Sequence, residues 1–163
     1  TWSAATGWSN LQGADGLGRW LATGWLPTHQ VTVLLQFVDA AGPSMQFFGA
    51  SGGSADRVSG LSLNNVGAFS QYFNWGQADI GGVVLTGNLA IAGKAVFRDG
   101  VKNGVAIAAG TGTLTHACIL GAENWAGTPH GGADTCKYTA LALYNAALTD
   151  DQVAAVAAAM AAL

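Results

Sequence analysis

Apolar residues in this chain come in short runs separated by glycine-rich breaks. The clearest run in the first half is Val31-Thr-Val-Leu-Leu-Gln-Phe-Val38, β-branched and aromatic enough to predict a strand. Residues 45–50 predict another, followed by a turn at Ser51-Gly-Gly-Ser54. Residues 58–63 and 66–75 predict successive strands of a meander. In the second of these, Phe69, Gln71, Phe73 and Trp75 alternate with Ala68, Ser70, Tyr72 and Asn74. Residues 89–98 and 101–107 flank Asp99-Gly100, a pair that accepts the positive φ values of a two-residue hairpin turn. Residues 113–121 predict a further strand, residues 123–134 a loop, and residues 17–22 an early strand.

The end of the chain carries the most information. Leu141 and Leu143 share one strand face, and Tyr138, Ala140, Ala142 and Tyr144 share the other, which predicts a strand between two different environments. Thr149 is placed to N-cap a terminal helix, with Asp150 and Asp151 in its positive first turn and Gln152 as the return partner of a capping box. Val153, Val156, Met160 and Leu163 recur at helical spacing, so one stripe packs down on a sheet.

Around ten short strands and one final helix predict an all-β fold, a two-sheet antiparallel sandwich. The 163 residues are read as a single domain, 1–163, long enough to bury a full core. Half the residues are hydrophobic and only 9% are charged, well under the usual content of about 25%. A net charge of −3 gives no electrostatic case for nucleic acid, and no apolar run approaches a membrane span, so neither nucleic acid nor membrane insertion is expected. Four of the six tryptophans, Trp2, Trp8, Trp20 and Trp25, fall in the first 28 residues, where core and sheet-edge packing is the expected role. Cys118 and Cys136 flank the 123–134 loop, and two readings stand: a disulfide across it, or two buried thiols.

The segment Tyr144-Asn145-Ala146-Ala147-Leu148-Thr149-Asp150 resembles the end of laminin-G-like domains in the concanavalin A-like lectin/glucanase group. There a last core strand runs through Tyr-Asn-x-x-Leu-[ST]-[DE] into a short helix. Ala95-Val-Phe-Arg-Asp-Gly-Val101 is similar to that family's apolar strand ending in an Asp-Gly turn, and Ile119-Leu-Gly-Ala122 to its Ile-Gly strand before a variable loop. The resemblance spans residues 30–155 and implies a jelly roll. It speaks to fold more than to function.

Some relatives of that fold hydrolyse glycosides, which takes two carboxylates facing each other across the bond. This chain has one glutamate, Glu123, and no Glu-x-Asp-x-x-Glu-like run. Asp150 and Asp151 belong to the helix start, Asp99 to a turn, and Asp39 and Asp56 to loop-like contexts. There is no Gly-x-Ser-x-Gly elbow, His29, His116 and His130 form no recognised pairing, and Gly13-Ala-Asp-Gly-Leu-Gly18 lacks a phosphate loop's lysine. His116, on a strand face with Leu114 and Cys118, reads as a partly buried, satisfied histidine.

Binding is the better-supported chemistry. Sugars stack their C–H faces on aromatic rings while amides, acids and imidazoles hold the hydroxyls. The 123–134 loop supplies Trp125 as a platform, with Glu123, Asn124, His130 and Asp134 as polar partners. Tyr72, Asn74 and Trp75 form a second candidate set. Related domains hold calcium through loop oxygens, which implies Glu123, Asn124 and Asp134 as candidate ligands. The expectation is a non-catalytic carbohydrate-binding or adhesion module, extracellular or on a virion or cell surface, whose partner is a glycan or cell-surface polysaccharide. The alternative is a structural domain of a virion or bacterial surface assembly that makes mainly protein contacts, and a glycoside hydrolase ranks third.

Overall fold

The structure, a computed structural model, describes residues 2–3, 7–10, 20–26, 31–41, 44–52, 61–66, 69–74, 77–79, 85–107, 114–130 and 135–163. They form two sheets and one C-terminal helix. The first sheet has seven strands, in the order β1 (Trp2–Ser3), β2 (Gly7–Asn10), β15 (Thr135–Tyr144), β4 (Thr32–Ala41), β9 (Gly87–Ala92), β10 (Ala95–Arg98) and β11 (Val101–Ala106). The second runs β14 (Thr128–His130), β13 (Glu123–Trp125), β5 (Ser44–Ser51), β6 (Leu61–Val66), β7 (Phe69–Asn74) and β8 (Gln77–Asp79). At its side β12 (Ile119–Leu120) pairs with both β5 and β3 (Leu21–Ala22). The chain passes from sheet to sheet after β2, β3, β4, β8, β11 and β14. The described pairings are antiparallel except β13 with β5, which is parallel.

The alternation along β4 makes the sandwich. Val33, Leu35 and Phe37 are fully buried between the sheets, and Leu34 is fully buried on the opposite face. Phe37 of the first sheet stacks on Phe47 of the second, with centroids 4.4 Å apart and planes 26° apart. On the outer face of the first sheet, helix α1 (Asp150–Ala161) lays Val153, Ala157 and Met160 over Leu34, Ala90 and Phe97. Burying each of the larger side chains in this seam contributes about 1.5–3 kcal/mol. Thr149 and Gln152 form the expected capping box, and Lys102 pairs with Asp150 at the helix start.

The Tyr144–Asp150 segment earns its shape from two clamps. The fully buried Thr32 hydroxyl donates to the Ala146 carbonyl at 2.8 Å and accepts from the Leu148 amide at 2.9 Å. Trp25 packs on Phe48 and donates its indole N–H to Asn145 Oδ1 at 2.9 Å.

Several sequence expectations need correction. Residues 89–98 are not one strand: Gly93, at φ +56, turns the chain between β9 and β10. Residues 113–121 contain only the short β12, and the described residues before it are irregular. Residues 123–130 are a hairpin rather than loop. Of the strand expected at 58–63, residues 58–60 lie outside the described residues and 61–63 belong to β6, which continues to Val66. Asp39 lies within β4, where a left-handed φ of +53 accompanies a register irregularity beside Lys137, its ion-pair partner. Tyr138 faces the sandwich core rather than the helix, because Thr139 is an extra residue between the Tyr138–Phe37 and Ala140–Gln36 pairs. Leu163 lies past the helix end and is 90% exposed, and Ala157 takes the buried stripe position instead. Trp20 is 41% exposed. The Asp99-Gly100 turn is as expected, with φ of +52 and +75 between the paired Arg98 and Val101.

Candidate functional site

The β13–β14 hairpin stands at one edge of the second sheet. Its two-residue turn, Ala126-Gly127, has φ of +47 and +92, the positive pair that lets so short a loop follow the strand twist. The register sets Glu123 opposite His130 and Trp125 opposite Thr128, so these four positions share one face. Asn124 pairs with the fully buried Ala50 on β5, while Trp125 pairs with Ser51. Trp125 and His130 therefore take the outer face of the sheet and Asn124 the inner one.

On that outer face the Trp125 indole and the His130 imidazole lie in contact, with centroids 3.5 Å apart and planes 3° apart. His130 is exposed and Trp125 half-buried, so the imidazole covers one face of the indole and is the more open ring of the stack. Glu123 and Ser51 beneath are buried, and Ser51 Oγ has no hydrogen-bond partner.

The same face continues across β5, β6, β7 and β8. Leu63 of β6 is fully buried in the core. Pairing then aligns Gln46, Asn64, Gln71 and Asp79 in one row across four strands, with Ser62, Phe73 and Gln77 in the next. Helix α1 packs on the other sheet, against β4, β9 and β11, which leaves this face clear of it.

The residues expected from sequence are partly brought together. Trp125 and His130 meet. Glu123 lies on their face, but buried. Asn124 lies on the other face, where its Nδ2 donates to the Ala117 carbonyl at 2.9 Å and its Oδ1 is buried without a partner. Asp134 and Trp75 fall outside the described residues, as do His29, Asp56 and Gly13–Gly18. Tyr72 and Asn74 lie on β7 at the register positions of Leu63 and Leu61, one position away from the Gln71 row. That row was missed by the sequence reading. A hairpin centred on positions 67 and 68 pairs 64 with 71, and this symmetry was its available signal.

Of the candidate calcium ligands, Glu123 and Asn124 lie on opposite faces of β13, and Asp134 lies outside the described residues. Among the described residues no group of three or more His, Cys, Asp and Glu side chains is placed to hold a metal ion. His116 is half-buried, bonded through Nδ1 to Thr115 Oγ1 at 2.9 Å, with its ring against Gly127, and it sits in an irregular segment rather than on a strand. Cys118 and Cys136 are free, buried thiols. Burial, and then the Glu123 carboxylate, push the Cys118 thiol well above its ordinary range. Burial likewise pushes Cys136 up to about 12, with Asp39 adding to it and hydrogen bonds from Tyr138 and Lys137 opposing it. Neither thiol is a nucleophile at neutral pH.

No protein-family model and no curated protein sequence matches this chain. Solved structures do. The CBM40 carbohydrate-binding module of the Ruminococcus gnavus IT-sialidase, bound to α2,3 sialyllactose, superposes with a TM-score of 0.60 at 15% identity, over 80% of this chain and 84% of that one. A K499G mutant of the NanB sialidase from Streptococcus pneumoniae gives 0.59 at 13% identity, over 83% of this chain. A Trypanosoma rangeli sialidase gives 0.52 at 16% identity, over 76% of it. The chain spans only 26% and 22% of the length of those two sialidases. At such identities the likeness is one of fold, a two-sheet β-sandwich.

Proposed function

We propose that this chain is a non-catalytic glycan-binding module, a single domain that holds an oligosaccharide on the outer face of its second sheet. The observation that carries this reading is the Trp125–His130 stack, an exposed imidazole against a half-buried indole at the edge of that face. A sugar ring lies with its C–H face against the aromatic pair. The fold shared with a CBM40 module supports the reading and makes a sialylated oligosaccharide the first ligand to test. It is also compatible with the laminin-G-like, concanavalin A-like grouping that the Tyr144–Asp150 segment suggests. A module of this kind works outside the cell or on a cell or virion surface, and among the described residues no helix is long and apolar enough to cross a membrane.

The test is calorimetric titration with α2,3 sialyllactose and with lactose, for the wild type, Trp125→Ala and His130→Ala. The proposal expects saturable binding that weakens at least tenfold in each variant, with both variants folded. Equal binding by all three proteins would move the site elsewhere.

A second reading, an accessory domain held in a virion or surface assembly by protein contacts, is favoured by one feature. Trp20, Leu21 and Leu26, on and beside the edge strand β3, are 41%, 43% and 53% exposed, which is uncommon clustering for large apolar residues.

A further inference from the structure

The opposite side of the molecule holds a second cleft, unrelated to the glycan face. It opens between helix α1 and the first sheet, with a volume of about 300 Å³, at the small end of the range for ligand pockets. Its floor is polar where the surrounding seam is apolar. Gln36 of β4 and Asn88 of β9 are directly paired across the sheet and both line it. Asn88 is only 3% exposed, and both side-chain carbonyl oxygens, Gln36 Oε1 and Asn88 Oδ1, are buried without a hydrogen-bond partner. Asn88 Nδ2 has only a long contact, 3.8 Å, to Met160 Sδ.

Unpaired buried acceptors cost free energy, and each calls for a donor. At the rim stands the exposed Asp99 carboxylate, fixed in the β10–β11 turn because its Oδ1 accepts the Asn88 backbone N–H at 2.8 Å. The opposite wall is made by Ala154, Ala157 and Ala158 of the helix, whose small side chains leave the space open. The cleft thus joins two acceptor oxygens and one negative charge to an apolar wall.

We propose that this cleft binds a small primary amine in its ammonium form. The three N–H donors of the ammonium match Gln36 Oε1, Asn88 Oδ1 and the Asp99 carboxylate, its charge offsets that of Asp99, and a short alkyl stem lies on the alanines. Neutral polyols supply donors but no charge, and anions meet the Asp99 carboxylate at the rim.

The test is titration of the ¹⁵N-labelled protein with n-propylammonium chloride, followed by the amide spectrum, with n-propanol and sodium chloride as controls. Saturable shifts of the Gly100 amide and of the Asn88 and Gln36 side-chain amides are expected with the amine and not with the controls. Asp99→Asn keeps a turn-compatible Asn-Gly pair and should weaken binding at least tenfold. Ala158→Leu, a favourable helix residue filling the cleft, should abolish it. Absent shifts, an equal response to n-propanol, or undiminished affinity in Asp99→Asn would each overturn the assignment.

Discussion

Ala126 holds a φ of +47, a conformation in which a Cβ crowds the following carbonyl at a cost of about 1–2 kcal/mol. Asparagine tolerates this region, and Asn-Gly is the favoured pair for such a turn. Ala126→Asn should therefore raise stability by roughly 0.5–1 kcal/mol, read as a higher denaturation midpoint with an unchanged slope. Gly87 is the opposite case. Its φ is +142, and a Cβ there would run into Asp99 Oδ1, the acceptor for the Asn88 N–H. Gly87→Ala should cost about 1–3 kcal/mol in the same measurement. At this scale the sequence was readable where chemistry forces geometry, as in Asp99-Gly100, and misleading where a single extra residue intervenes. Nothing in Tyr138-Thr139-Ala140 announces that Thr139 bulges out, yet that bulge moves Tyr138 from the helix side to the core.

Among the elements, the terminal helix was legible in detail because its signals are local. The cap, its return partner and the acidic first turn need no distant strand to act. Thr149→Ala removes the hydroxyl that accepts from the Gln152 amide and should cost about 1 kcal/mol. Leu163→Ala, at a residue 90% exposed beyond the last turn, should change stability by less than about 0.5 kcal/mol. Thermal melts of the two variants side by side distinguish the cap from the apolar tail. The hairpin at 123–130 was hidden for the converse reason. Its turn uses Ala-Gly rather than Asn-Gly, and its strands are three residues each, too short to show an alternation. Parallel pairing of β13 to β5 is a tertiary fact, and that pairing decides which side chains of the expected loop face outward.

Over the whole molecule, the sheet-to-sheet architecture followed from many short apolar runs with one terminal helix, whereas the candidate face did not. The Gln46–Asn64–Gln71–Asp79 row exists only once four strands are in register, so no local pattern contains it. The two thiols tie the whole core to pH. Both are raised in the folded state, so they stay protonated there after the unfolded chain has released its protons. Their contribution is intact below the ordinary thiol value of 9.0 and falls as pH climbs through the window toward about 12, the folded value of Cys136. The slope is about 1.4 kcal/mol per pH unit for each thiol. Denaturation at pH 7, 9 and 10.5 should show this decline, and Cys118→Ala with Cys136→Ala should flatten it.

The glycan reading of the second sheet's outer face has its most direct test in a glycan array probed with the purified chain, in calcium and again in EDTA. Reproducible binding to one sugar class is expected, and loss of that binding in EDTA would add a metal to the site. An array blank in both buffers, across sialylated and neutral glycans alike, would contradict it and leave the assembly reading.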